Sequence, residues 1–342
     1  MQAAIRAIEY HLPSTALSTS DLAAEFPEWP VEKIDRKTGI SERHIAAAGE
    51  CASDLGCAAA AKLFESGAVS PAGVDALLLC TQSPDYFLPT TACLLQDRLG
   101  LPTACFALDF NQGCSGFVYG LGIAKGLIET GQARSVLLVT AETYTKFIHP
   151  RDKSVRTIFG DAAAATLIEG VSAPSGAPLI GPFVFGTDGS GARHLIVSSG
   201  GMRHPLPEAH SADSGDGASR AGNYLYMDGA EVFDFALRVV PDAFAKILDA
   251  AGMKVEDVDL FVFHQANQYM LQSLRLALNL PEQKFVIAMR HCGNTVSSTI
   301  PIALKHAAMD ARLGHGNVVM LVGFGVGYSW GATLIRWCDR WS

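Results

Sequence analysis

Ala165-Thr166-Leu167-Ile168 returns as Ala332-Thr333-Leu334-Ile335, and this repeated stretch decides how the fold is read. Each copy closes a series of apolar runs of strand length that alternate with helix-like stretches, the pattern of βαβ units on a mostly parallel sheet. Around the first copy, strands are expected at 75–82 (DALLLCTQ), 105–110, 135–141 (SVLLVTA) and 163–168, with helices at 90–100 and 115–130. Around the second, helices are expected at 230–251, 267–278 and 298–312, and strands at 259–264 (DLFVFH), 284–289, 317–322 and 331–337. Asp75 and Asp259 each open an apolar run at equivalent places. A four-letter match alone is within chance; the shared order of elements is what argues for duplication. Duplicated halves face one another, and the seam between them is then the natural site.

The boundaries read as 1–170 for a first half, 171–225 for a connecting loop region and 226–342 for a second half. Within the connection, 198–223 (SSGGMRHPLPEAHSADSGDGASRAGN) lacks periodicity. Its bland reading is a solvated loop, and its length also suits a cover over a site.

Composition narrows the function. The 342 residues hold 49% hydrophobic and only 18% charged residues, so intrinsic disorder is excluded. Lys+Arg 26 against Asp+Glu 34 gives a net charge of −8, which argues against a nucleic-acid binder. No run approaches a membrane span, and Arg6, Glu9 and His11 interrupt the N-terminus where a signal peptide would be apolar. A cytoplasmic protein is expected. The eight cysteines form no CxxC pair, and most are expected to be small buried apolar residues.

One cysteine departs from that pattern. Cys114, in Asp109-Phe110-Asn111-Gln112-Gly113-Cys114-Ser115-Gly116-Phe117, stands where a strand turns into a helix, and a helix N-terminus favours a thiolate. His264 ends the strand Phe261-Val262-Phe263-His264, and Asn294 follows the next one in Gly293-Asn294-Thr295. Alone, the histidine reads as structural and the asparagine as a turn residue or cap. Together they lie beyond the carboxyl ends of successive strands, where α/β sheets bind ligands. Cys114 comes from one half and the other two from its partner half, which suits a seam site. Gly327-Tyr328-Ser329-Trp330-Gly331 spells GxSxG, but a strand follows it and no histidine comes later, so it is rejected as a hydrolase elbow. Gly120 to Gly126 has the wrong spacing for a dinucleotide loop, and no His or Cys pair has metal-ligand spacing.

The chain resembles the β-ketoacyl-ACP synthase III family of the thiolase superfamily. The likeness runs through Thr38-Gly39-Ile40, Glu42-Arg43-His44, Leu88-Pro89-Thr90-Thr91-Ala92-Cys93, Gly113-Cys114-Ser115-Gly116-Phe117 and Phe159-Gly160-Asp161. It continues through His264-Gln265-Ala266-Asn267, Gly293-Asn294-Thr295 and Gly323-Phe324-Gly325-Val326-Gly327 with Trp330-Gly331. The resemblance implies an α/β thiolase fold, duplicated as five layers αβαβα, and a homodimer. It implies a Cys114–His264–Asn294 triad and an oxyanion hole from the N–H groups of Cys114 and Val326. The implied reaction loads an acyl group from CoA onto Cys114 and condenses it with a malonyl-CoA or malonyl-ACP unit as CO2 departs. CoA or acyl-carrier-protein (ACP) thioesters are then substrates, with no cofactor.

Departures from the family pattern fall at the thioester contacts. Val326 replaces the middle glycine of the oxyanion loop. Lys37 precedes Thr-Gly-Ile in place of arginine, Lys153 replaces a second CoA-binding arginine, and Trp29 lies upstream of the usual stacking tryptophan. Lysine lacks the flat guanidinium. Tyr269 replaces the carrier-docking arginine, which leaves Arg275 as the nearest basic candidate. Leu88 matches the position that caps the partner's acyl pocket, and Asn267 and Phe324 complete the expected substrate-binding set. The competing reading on the same fold is an acyltransferase that passes the Cys114 acyl group to an alcohol or amine. A non-catalytic partner subunit would be expected to lack Cys114. The acidic balance also poses a question, because acyl carrier proteins are acidic themselves.

Overall fold

The computed structural model describes residues 1–172, 178–205 and 223–338. The first half builds a five-stranded sheet in the order Gln2–His11, Ala162–Val171, Ser135–Glu142, Ala76–Cys80, Phe106–Phe110. The second builds a four-stranded sheet from Ile180–Thr187, Ser329–Arg336, Val318–Gly325 and Leu260–Phe263. The four strands of the second sheet match the first four of the first in order, and Phe106–Phe110 has no counterpart strand. Both ATLI copies lie in the second strand from the edge, flanked on each side by antiparallel neighbours. Asp75 and Asp259 are equivalent in chemistry as well. Asp75 Oδ2 accepts the N–H groups of Arg134 and Ser135 at 2.7 and 3.1 Å, and Asp259 Oδ2 accepts that of Val318 at 2.8 Å. Each carboxylate caps the start of the neighbouring strand.

Three expectations need correction. The sheets are mixed rather than mostly parallel: Ala76–Cys80 runs parallel to its two neighbours and Leu260–Phe263 to its one, while the other pairings are antiparallel. Val326-Gly327-Tyr328 shows why, because so short a connection can only reverse the chain. The expected strand 284–289 forms no ladder, only a parallel bridge between Phe261 and Phe285. The Gln265 side chain takes over its backbone, donating to Phe263 O and Val286 O at 2.7 and 3.2 Å and accepting from Ala288 N at 2.8 Å. Finally, 171–225 is more than a loop. It supplies the edge strand Ile180–Thr187 and the strand Leu195–Val197, which pairs with Leu225–Met227. Most of the expected covering loop, 206–222, lies outside the described residues.

Strand alternation divides the core into layers. Leu77, Leu79, Leu137 and Val139 face an outer layer of helices Ala52–Glu65 and Thr91–Arg98. Their neighbours Leu78, Val136 and Leu138 face inward onto Phe117, Leu121, Ala124 and Ile128 of helix Gly116–Glu129. Ile300, Ala303, Leu304 and Ala307 of helix Thr299–Met309 share that central layer, and Val262, Val319 and Leu321 of the second sheet close it from the far side. Phe261, Phe263, Met320 and Val322 face the last layer, helices Gly229–Ala251 and Gln268–Ala277. Both sheets are covered on both faces, which accounts for the scarcity of charge.

Candidate active site

The nucleophile candidate sits where strand Phe106–Phe110 gives way to one 3₁₀ turn, Gly113–Ser115, and then to helix Gly116–Glu129. Gly113 has φ +54°, and a Cβ there would lie 2.6 Å from Val326 Cγ1, so only glycine fits. Cys114 is 6% exposed. The strand Val318–Gly325 passes directly over it: a Cβ on Gly325 would lie 2.8 Å from Cys114 Cβ and 3.0 Å from Sγ. The backbone N–H groups of Val326 and of Cys114 itself both favour the thiolate form of the sulfur. The expected depressed thiol pKa is not found. Burial, followed by the charge of Glu142, pushes the thiol up to about 12, and the two N–H groups offset only part of that. The resting nucleophile is a neutral thiol.

His264 and Asn294 come from the second half, on segments next to those that pack against the Cys114 turn. The His264 N–H donates to Val322 O at 2.8 Å, which ties it to the overlying strand. Its Nδ1 lies 2.8 Å from Thr299 Oγ1, and Phe324 meets the ring edge-on at 5.5 Å. Burial holds the imidazole down at about 3, so it is neutral at physiological pH. Asn294 donates its backbone N–H to Ile158 O at 2.9 Å, and its Oδ1 accepts the Val296 N–H at 2.9 Å. That second bond leaves the amide N–H₂ as the end available to a ligand. Val296 and Cys114 belong to one buried cluster, and Gly113–Ser115 packs against both Val296–Ser298 and the overlying strand. Buried hydroxyls clasp the seam: Ser115 to Ser329 at 2.7 Å and Thr140 to Ser298 at 2.9 Å.

The neutral His264 has a consequence for stability. Its folded pKa lies below the ordinary 6.5, so protons bind the unfolded chain first and stability falls as pH drops from about 6.5 toward 3. His264→Gln is expected to remove one proton from that acid limb, flattening it by roughly 1.4 kcal/mol per pH unit. Urea denaturation at pH 7 and pH 5 checks this. An unchanged limb would assign the effect elsewhere.

The remaining candidates divide. Tyr144, Ile148, Phe159, Leu195 and Leu225 pack with Cys114 in one buried apolar cluster, so the two strands that flank the 198–223 connection lie against the site. Lys37 and Lys33 each stand 4.9 Å from the Trp29 ring centroid, and Lys153 pairs with Glu28 at 2.7 Å. Trp29 and Lys153 therefore lie on one surface despite the distance between them in sequence. Leu88 is 86% exposed. Phe324 is buried and meets the His264 ring edge-on. Asn267 caps helix Gln268–Ala277, its side chain accepting from Met270 N at 2.9 Å. Arg275 spends donors on Gln272 Oε1 and Leu280 O, beside Arg312 and Glu282 in a hollow of about 390 Å³. Tyr269 is exposed and stacks on Phe233. Of the cysteines, only Cys80, Cys114, Cys292 and Cys338 are buried, while Cys93 is exposed and Cys51, Cys57 and Cys105 are intermediate. The expectation that most are buried fails for half of them.

Sequence reasoning passed over Glu142, Ser297 and Thr299, and placed Arg43 in a motif without giving it a role. Glu142 ends the buried strand SVLLVTAE, and a carboxylate closing an otherwise apolar strand was its available signal. Arg43, fully buried, donates to Thr157 O, Ile40 O and Thr19 Oγ1 and packs behind Gly293. Among the described residues, no group of three or more His, Cys, Asp or Glu could hold a metal ion, and no helix is long and apolar enough to cross a membrane.

A duplicated five-layer fold with a cysteine, a histidine and an asparagine gathered at its seam defines a condensing enzyme of the thiolase fold. Comparison with known proteins makes the assignment specific. Family models described as 3-oxoacyl-[acyl-carrier-protein] synthase III and its C-terminal part match residues 108–189 and 248–337. The β-ketoacyl-[acyl-carrier-protein] synthase III of Caldanaerobacter subterraneus is 35% identical over 327 residues, 96% of this chain and 95% of that protein. That of Rhodopirellula baltica is 36% identical, covering 96% of each. A crystal structure of a 3-oxoacyl-(acyl-carrier-protein) synthase III matches with TM-score 0.96 at 53% identity, over 98% of this chain and all of that one. The Pseudomonas aeruginosa enzyme matches over the full length of both chains, with TM-score 0.86 at 33% identity. The chain belongs to the β-ketoacyl-ACP synthase III family.

Proposed function

We propose that this protein condenses an acyl group with a malonyl unit by a decarboxylative Claisen reaction, and that Cys114, His264 and Asn294 carry it. In the first stage Cys114 Sγ bonds to the acyl carbonyl carbon of an acyl-CoA and the C–S bond to CoA breaks. The thiol proton leaves with the CoA thiol, and the neutral His264 imidazole is the base able to carry it. The N–H groups of Cys114 and Val326 hold the tetrahedral oxyanion, an effect worth about 3–4 kcal/mol per donor. In the second stage the malonyl C–C bond breaks, CO2 leaves, and the electron pair forms an enolate held by donors from His264 and Asn294. The enolate carbon attacks the acyl carbonyl, and Cys114 departs as the thiolate. No step transfers an electron to the protein or needs a Lewis acid, so the reaction calls for no cofactor beyond its thioester substrates.

The observation that carries this reading is the packing of the Cys114 turn against both the strand that ends in Gly325 and the Val296–Ser298 turn that follows Asn294, with an imidazole kept neutral by burial on the neighbouring strand end. The apolar side chains packed around Cys114 suit an acyl chain. Trp29, between Lys33 and Lys37, suits the nucleotide of CoA. Trp29→Ala is expected to raise the KM for acyl-CoA about tenfold, in keeping with roughly 1–3 kcal/mol of base stacking, and to leave the KM for an acyl-N-acetylcysteamine unchanged. Steady-state kinetics on the two donors check it. A second copy of the chain suits the unpaired edge strand Phe106–Phe110, where Phe106 is 49% exposed, next to exposed Tyr86, Phe87 and Leu88. A cytoplasmic homodimer supplied by CoA and carrier-protein thioesters follows.

The test is to supply acyl-CoA with malonyl-CoA or malonyl-ACP and measure CO2 against β-ketoacyl thioester. Equal amounts of the two are expected, and only when both substrates are present. Acyl transfer to an added amine or alcohol without CO2 would contradict the proposal.

A further inference from the structure

Glu142 is the one buried carboxyl beside Cys114 that the reaction above leaves without work. It is 0% exposed at the end of strand Ser135–Glu142, and both of its oxygens are occupied. Oε2 accepts the Gln82 N–H at 3.0 Å and the Ser83 hydroxyl at 3.3 Å, while Oε1 accepts the Ser297 hydroxyl at 2.7 Å. Gln82 and Ser83 belong to the first half, and Ser297 belongs to the turn that follows Asn294 in the second. A carboxyl so enclosed has no oxygen left for a substrate, so it acts through the residues it holds.

Those residues lead to Asn294. Val296 donates its N–H to Asn294 Oδ1 at 2.9 Å, and this bond decides which end of the amide faces outward. Val296 has φ +55°, a conformation a β-branched residue does not adopt unaided. The turn Val296–Ser298 is fastened to strand Ser135–Glu142 at two points, Ser297 to Glu142 and Ser298 to Thr140. Both fastenings tie the turn to the first half, where Cys114 stands, and the Glu142 one alone continues to a second segment there, Gln82–Ser83.

We propose that Glu142 is a positioning residue of the condensation, its carboxyl fixing through Ser297 the turn that aims the Asn294 amide at the malonyl carbonyl. This rests on the condensation reading. It predicts a loss that falls on the second half-reaction, because only there is the Asn294 amide a donor, while removing the Glu142 charge would lower the Cys114 pKa and so would not slow acylation.

The two half-reactions can be measured separately, Cys114 acylation by intact mass and decarboxylation by CO2 release. Glu142→Ala and Ser297→Ala are each expected to lower CO2 release about tenfold while acylation stays within about twofold. The double variant should be no slower than the worse single, as for two residues acting through one contact. Glu142→Gln, which can still bond Ser297, should restore most of the loss. Equal losses in both half-reactions, additive losses in the double variant, or unaltered CO2 release in Ser297→Ala would overturn the assignment. If the wild type acylates but releases no CO2, the condensation reading itself fails and takes this inference with it.

Discussion

Asn294→Asp is expected to abolish most decarboxylation while leaving Cys114 acylation nearly intact. The Oδ1 atom is already committed to the Val296 N–H, so the amide presents its N–H₂ end to the ligand. Aspartate keeps the shape and the bond to Val296. It replaces the outward donor with an acceptor, and it sets a negative charge where the enolate oxygen must form. Loss of one donor to a developing oxyanion typically costs about a hundredfold to a thousandfold in rate, and the added charge acts in the same direction. Acylation draws its oxyanion donors from Cys114 and Val326 instead, so it should fall by no more than a few-fold. Single-turnover acylation and CO2 release measured on one preparation check the split. An equal fall in both would assign Asn294 a role in holding the nucleophile.

The second large effect is expected at Gly325. Its missing side chain is where the overlying strand makes room for the nucleophile, since a Cβ there would meet Cys114 Cβ at 2.8 Å and Sγ at 3.0 Å. Gly325→Ala must therefore displace the thiol or the strand that carries the Val326 N–H. A displacement near 1 Å at a reacting group costs about a hundredfold. Both half-reactions should fall by that order, because the acylated sulfur and its oxyanion hole serve each of them. The variant should also lose about 1–3 kcal/mol of stability, as overpacking of a buried seam does, so the rates are compared under conditions where both proteins are folded. Wild-type rates in this variant would mean that the Cys114 pocket has slack the packing does not suggest.

How much of this was legible in the sequence follows from the range of the interactions. Strands such as Leu77–Leu79 and Val136–Val139 are buried on both faces and read as continuous apolar runs, so their places were plain. The ATLI copies and the aspartates 75 and 259 made the duplication readable because the two halves solve one local packing problem twice. Direction was harder. A run of apolar residues carries no mark of its neighbour's polarity, and only a three-residue connection like Val326-Gly327-Tyr328 betrays an antiparallel return. The stretch 284–289 resembles a strand because it is apolar and extended, yet its partner is the Gln265 side chain, which no periodicity reveals.

The site was legible in its chemistry and hidden in its electrostatics. Cys114, His264 and Asn294 stand beyond strand ends, where position alone gives them meaning. The thiol's raised pKa depends on how deeply the sulfur is buried and on Glu142, which lies far from it in sequence. A helix N-terminus is a local signal, and here the tertiary surroundings outweigh it. Glu142, Ser297 and Thr299 carry no motif of their own and become significant only once the two halves are packed. The basic surface around Trp29 followed the same course, with Lys153 joining it through Glu28.

The central claim is that Cys114 accepts the acyl group, and intact-protein mass after incubation with an acyl-CoA tests it most directly. The wild type should gain the mass of one acyl group, mapped to the Cys114 peptide and matched by one released CoA, while Cys114→Ala should gain none. No mass gain in the wild type, or an equal gain in Cys114→Ala, would contradict the account.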